Sequence, residues 1–79
     1  MNISGYIRRI FVLPYLMRDA SIEYKKDNYQ LAIDIYNKVI SLSPKNYDAY
    51  LWSGTAYTAI SNDKQAIECF EKALSINPK

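Results

Sequence analysis

Asn62-Asp63-Lys64-Gln65-Ala66-Ile67-Glu68-Cys69-Phe70-Glu71-Lys72-Ala73-Leu74-Ser75-Ile76-Asn77-Pro78-Lys79 sets the fold class. Ala66, Ile67, Phe70, Ala73 and Leu74 fall at i, i+1, i+4, i+7 and i+8, which is one stripe of a helix with 3.6 residues per turn. Glu68, Glu71 and Lys72 occupy the gaps. Asn62 supplies a helix start, with Gln65 three residues later as in a capping box. Pro78 supplies the stop, because proline lacks an N–H and disfavours a helical residue before it. Strict apolar–polar alternation, the mark of a strand, is absent.

The stretch has an echo thirty-four residues upstream. Asn28, Ala32, Ile33, Lys38, Ser41, Pro44 and Lys45 coincide with Asn62, Ala66, Ile67, Lys72, Ser75, Pro78 and Lys79. Asp34 stands for Glu68, Tyr36 for Phe70, Ile40 for Leu74 and Leu42 for Ile76. All seven identities lie between 28 and 45, so the upstream half of each unit has diverged further. The pattern predicts four helices, at 14–26, 29–42, 47–60 and 63–76, with Pro14 in the first turn of the first, where no N–H is needed. Asp27-Asn28 is the expected start of the second, with Gln30 three after Asp27. Short linkers imply antiparallel neighbours. The chain divides into an extension at 1–12 and two units at 13–46 and 47–79.

Length and composition bound the function. Seventy-nine residues make one small domain, and a chain this short buries only about 60 to 65 per cent of its unfolded surface. At 49% hydrophobic and 23% charged it has the composition of an ordinary globular domain. The net charge of +2 is too weak to argue for nucleic acid. Residues 1–26 carry a net +3 and residues 27–79 a net −1. No apolar run reaches the roughly 20 residues that cross a bilayer; the longest candidate, 10–17, is interrupted by Pro14. Arg8 and Arg9 ahead of it outline a signal peptide, but Arg18, Asp19 and Ala20 give no small-x-small cleavage site. Cys69 is the only cysteine, so there is no internal disulfide, and a reducing, cytoplasmic setting is expected. The chain has no histidine, which removes the commonest general base and metal ligand. With only Gly5 and Gly54 it has no glycine-rich phosphate loop. The expectation is a non-catalytic protein with no cofactor and no metal.

These residues resemble the tetratricopeptide repeat, whose pattern runs aromatic, large apolar residue with Gly, Tyr, Ala, aromatic, Pro. The second unit reads Tyr50-x-x-Ser53-Gly54-x-x-Tyr57, then Ala66-x-x-x-Phe70, Ala73 and Pro78. Ser53 departs from the usual Leu. The first unit reads Leu16-x-x-Asp19-Ala20-x-x-Glu23, then Ala32-x-x-x-Tyr36, Val39 and Pro44. Asp19 and Glu23 depart from the pattern there, and Tyr24, one residue on, partly substitutes. The resemblance implies an all-α fold: antiparallel helix-turn-helix pairs stacked as a short right-handed superhelix, an α-solenoid. Gly54 and Ala20 would let the helices of each pair approach closely, with Ala32 and Ala66 opposite, while Tyr57, Phe70 and Tyr36 fill the surrounding space.

The resemblance also implies a site. The family's concave side is lined mainly by the first helix of each pair. Carried over, that gives Met17, Ser21, Tyr24 and Lys25 from the first unit, and Asp48, Leu51, Trp52, Thr55, Thr58 and Ala59 from the second. Met, Leu, aromatic rings and small hydroxyls suit a peptide segment of a protein partner. Packing of Trp52 and Met17 against a neighbouring helix is the competing expectation. The Lys and Asn with which some members grip a carboxylate are missing. Cys69 is expected to be a small packing residue, and Glu68 with Lys72 an i, i+4 ion pair. Met1 to Val12 have helical spacing at Ile3, Tyr6, Ile7, Ile10 and Phe11, and are expected to cover the first pair. The alternatives are a basic membrane-surface or targeting segment, and the remnant of a decayed repeat. The last pair is expected to expose apolar residues near Tyr57, Phe70 or Leu74, which self-association, a larger parent protein or another partner would cover.

Overall fold

The computed structural model describes the backbone of residues 3–78 and the side chains of residues 11–78. Four helices follow in order: α1 Ile3–Lys25, α2 Tyr29–Leu42, α3 Tyr47–Ala59 and α4 Asp63–Ile76. No strand occurs among the described residues. α1 packs on α2, α2 on α3 and α3 on α4, so the chain forms helical hairpins stacked side by side. The extents, 41 × 29 × 18 Å, are those of a short slab and not a sphere.

Two hairpin turns repeat the same backbone. α1 and α3 each end in a Schellman motif. The Asn28 N–H donates to the Glu23 carbonyl at 2.9 Å and the Asp27 N–H to that of Tyr24 at 3.0 Å; Asn62 to Tyr57 and Ser61 to Thr58 repeat this at 2.9 and 3.0 Å. Both motifs need a left-handed residue, and Asp27 (φ 63°) and Ser61 (φ 62°) supply it without being glycine. Asn46 and Asn62 cap α3 and α4, accepting from the Ala49 N–H at 3.0 Å and the Gln65 N–H at 3.4 Å.

The start of α2 differs from the sequence expectation. Asp27 is not its cap; its carboxylate instead accepts the Tyr29 hydroxyl at 2.9 Å. The cap position belongs to Asn28, whose side-chain amide turns away to donate to Glu23 at 2.8 Å. The left-handed backbone at Asp27 belongs to the end of α1, so the residue serves the earlier helix.

Pro14 is a second correction. It lies inside α1, which begins eleven residues before the expected start and runs unbroken through residues 12 and 13. Proline leaves the acceptor one turn back without its donor. Pro14 is exposed, so that gap falls on the water side of the helix and not in the core. The covering role expected of Met1 to Val12 falls mainly on side chains outside the described residues.

The core lies on the faces the hairpins share. Ala20, Ala32, Tyr36, Val39 and Ala49 form its buried centre, and Leu13, Leu16, Met17, Tyr24, Ile35 and Ile40 pack around it. Gly54, Ala66 and Ala73 are buried in the second hairpin. A Cβ on Gly54 would stand 2.7 Å from Cε1 and 2.9 Å from Cδ1 of Phe70, so the ring occupies the space a side chain would need. Pro44 and Pro78 are exposed at the helix ends. Tyr57 and Phe70 are half-buried; the exposed large apolar residues of α4 are Ile67 and Leu74, each 57% exposed.

Candidate functional site

Met17, Ser21, Tyr24 and Lys25 recur at one-turn intervals along α1, and Trp52 stands across from them on α3. Together with Tyr36 of α2 they line a groove of about 400 Å³. The Tyr24 ring meets Trp52 edge to face, with centroids 6.1 Å apart at 70°, and meets Tyr29 at 5.2 Å and 73°. These contacts fix the aromatic wall. Trp52 nevertheless keeps 43% of its surface open, while Met17 and Ser21 are half-buried and Lys25 is exposed. The lining offers an apolar body, aromatic edges and a cation.

Tyr36 was legible in the sequence as a packing residue only. The structure places it at 2% exposure in the core and also in the lining of the groove. Burial pushes its phenol pKa up, with Tyr24 and Asp48 adding to the effect, so it stays a neutral hydrogen-bonding group at ordinary pH. Its place in the lining follows from how α2 sits behind α1 and α3, and helical spacing carries no signal for that.

The remaining concave-side candidates do not join this lining. Leu51 is half-buried and Asp48, Thr58 and Ala59 are exposed. The Thr55 hydroxyl donates to the Leu51 carbonyl at 2.9 Å and that of Thr58 to the Gly54 carbonyl at 3.0 Å, so both serve their own helix.

The other charged and thiol candidates gather no chemistry. Glu68 and Lys72 form no ion pair; Lys26 with Glu23, at 3.8 Å, is the ion pair among the described residues. Lys72 instead lines a second depression of about 430 Å³ with Pro44, Lys45, Tyr50, Ser75 and Ile76. Cys69 is half-buried, and burial raises its thiol pKa, with Glu68 adding to the shift. A raised value means less thiolate and a slower nucleophile. Among the described residues no cluster of three His, Cys, Asp or Glu could hold a metal ion, and no helix is long and apolar enough to cross a membrane.

The tetratricopeptide repeat pattern matches residues 23–79, well over half of the chain. The chain belongs to the tetratricopeptide repeat family. It is 30% identical over 77 residues to cilia- and flagella-associated protein 70 of Macaca fascicularis, covering 96% of this chain and 8% of that protein. It is 27% identical over 66 residues to the RNA polymerase-associated protein CTR9 of Saccharomyces cerevisiae, covering 82% of this chain and 6% of the relative. A probable UDP-N-acetylglucosamine–peptide N-acetylglucosaminyltransferase, SPINDLY of Hordeum vulgare, is 29% identical over 63 residues, covering 80% of this chain and 7% of its own length. The chain thus spans less than a tenth of the length of each of these relatives. What is shared is the repeat. A tetratricopeptide repeat is a protein-interaction module, and this chain is one of that class.

Proposed function

We propose that this tetratricopeptide repeat module is non-catalytic and holds a peptide segment of a partner protein in the groove between α1 and α3. One observation carries the reading: Trp52, held edge-on by Tyr24, keeps nearly half its surface open beside Met17. Large rigid aromatics and methionine are the residues that dominate protein-binding surfaces. About 400 Å³ is at the lower end of ligand sites, enough for one large or two small side chains of a bound segment. Lys25 at the rim favours a partner with an acidic residue next to its apolar anchor.

The test begins with selecting binders from a random peptide library on the immobilised chain. Trp52 is the only tryptophan, so its fluorescence reports occupancy of the groove directly. Titration should shift that emission saturably. Trp52→Ala and Met17→Glu should each weaken a labelled peptide, read by anisotropy, by about 30-fold, the scale of a binding hot spot. Far-ultraviolet dichroism should show helicity retained. Thr58→Glu, outside the lining, should bind normally. Full affinity in both groove variants would put the binding site elsewhere.

A further inference from the structure

We infer that the depression between the α2–α3 linker and the end of α4 binds a phosphorylated side chain of a partner polypeptide. It shares no residue with the Trp52 groove and does not depend on it.

Three elements meet there. The linker supplies Pro44 and Lys45, α3 supplies Tyr50, and α4 supplies Lys72, Ser75 and Ile76. The lining thus holds two ammonium groups and no carboxylate. Asp48, Glu68 and Glu71 are near in the chain, but they are exposed and stand outside the lining. Among the described residues neither lysine forms an ion pair, and the Tyr50 hydroxyl makes no hydrogen bond. The Ser75 hydroxyl donates to the Lys72 carbonyl at 2.7 Å, so its proton is spent. Lys45, Lys72 and Tyr50 are the donors left over. Two like charges that share a concavity repel, and an anion placed between them gains from both.

The repeat does not require this pair of charges. In the first unit Lys38, Ser41 and Leu42 match Lys72, Ser75 and Ile76, but Phe11 and Leu16 hold the places of Lys45 and Tyr50. Leu16 there packs against the core. The second cation and the phenol are particular to the second unit.

A phosphate monoester carries about −1.5 to −2 charges at neutral pH and offers three acceptor oxygens. It balances two ammonium groups, whereas one carboxylate leaves a lysine unmatched. Lysine binds phosphate as a point charge, without the planar fork that suits arginine to a carboxylate. About 430 Å³ holds a phosphorylated side chain and an apolar neighbour, for which Pro44, the Tyr50 ring and Ile76 form a wall. Extended polyanions fit less well. Nucleic acids and anionic membranes need several clustered basic residues, and residues 27–79 carry a net −1.

The probe is a short synthetic peptide in which phosphoserine stands between two leucines. It is titrated into the ¹⁵N-labelled full chain to about 1 mM, at about 20 mM salt, where screening is weak. The expected result is saturable shifts of the Lys45, Tyr50, Lys72 and Ser75 amides. Lys45→Ala and Lys72→Ala should each lower affinity about fivefold, the upper end for an exposed ion pair, with helicity retained. Lys38→Ala, the same change at the matching position of the first unit, should leave it unchanged. The peptides with serine or glutamate in place of phosphoserine should bind about fivefold more weakly or less. Four results would overturn the proposal. The first is amides unmoved at the top concentration, or shifts confined to the Trp52 groove. The second is equal binding by the glutamate peptide or by inorganic phosphate. The third is a loss with Lys38→Ala as large as with Lys72→Ala, which would mean diffuse attraction. The fourth is tighter attachment to phosphatidylserine vesicles than to the phosphopeptide, abolished by Lys45→Ala, since a membrane would then be the occupant.

Discussion

Gly54 is the residue on which the second hairpin closes. It sits in mid-helix, where glycine costs up to about 1 kcal/mol against alanine, so something must favour it. The Phe70 ring does, standing 2.7 Å from where a Cβ would be. Gly54→Ala therefore trades a gain in helix propensity for an overpacked contact of about 1–3 kcal/mol. We expect a net loss of about 1–2 kcal/mol in urea unfolding, partly recovered in the double variant with Phe70→Leu. No recovery would mean that the ring is not the obstacle. Ser53, one residue away, has the opposite character. It is fully buried, and its hydroxyl finds no hydrogen-bond partner among the described residues. A buried unpaired hydroxyl costs about 1–3 kcal/mol, so Ser53→Ala should raise the urea midpoint by an amount worth about 1 kcal/mol. A lowered midpoint would show that the oxygen makes a contact that matters.

At the scale of elements, the helix ends repeat more faithfully than the helices. Asp27 and Ser61 adopt φ of 63° and 62° in matching Schellman turns. Left-handed backbone costs a non-glycine residue about 1–2 kcal/mol, and glycine nothing in the folded state. Ser61→Gly should stabilise the chain by about 0.5–1 kcal/mol after the added freedom of the unfolded state is counted, visible as a higher urea midpoint at unchanged slope. Asp27→Gly should gain less, because the carboxylate that accepts the Tyr29 hydroxyl goes with it. Equal gains at the two turns would remove that bond from the account. The first helix makes a different point. Its passage through Pro14 shows that an exposed proline does not bound a helix when the stripe behind it, Leu13, Leu16, Met17 and Ala20, is held by packing.

For the molecule as a whole, folding is coupled to alkaline titration. The pKa values of Tyr36 and Cys69 are both raised in the folded chain, chiefly by burial. A raised pKa in an acid that is neutral when protonated means that the folded state holds its proton longer than the unfolded chain does. The stability tied to this is fully present below the ordinary values and is lost as pH climbs through the alkaline range. Urea midpoints should therefore fall above about pH 9 for the thiol and further above pH 10 for the phenol, their ordinary values being 9.0 and 10.0. Tyr36→Phe should flatten the second part of the decline. An unchanged slope in that variant would place the titrating group elsewhere.

The helices and their repeat are written in the local pattern of the chain. Ala66, Ile67, Phe70, Ala73 and Leu74 show their period without reference to any neighbour, because a helix makes its hydrogen bonds within itself and an apolar stripe needs only a register. The bounds 29–42 and 63–76 were legible for the same reason, set by local residues such as Asn62 and Pro44. Which stripe is covered depends on how the helices stack. Ile33 and Ile67 read alike in the chain, and one is fully buried while the other is 57% exposed. Tyr36 reads as core and also lines the groove; Thr55 and Thr58 read as groove and bond to their own helix. Spacing says which residues share a face, whereas burial depends on what another element places against that face, and that is settled only when the helices stack.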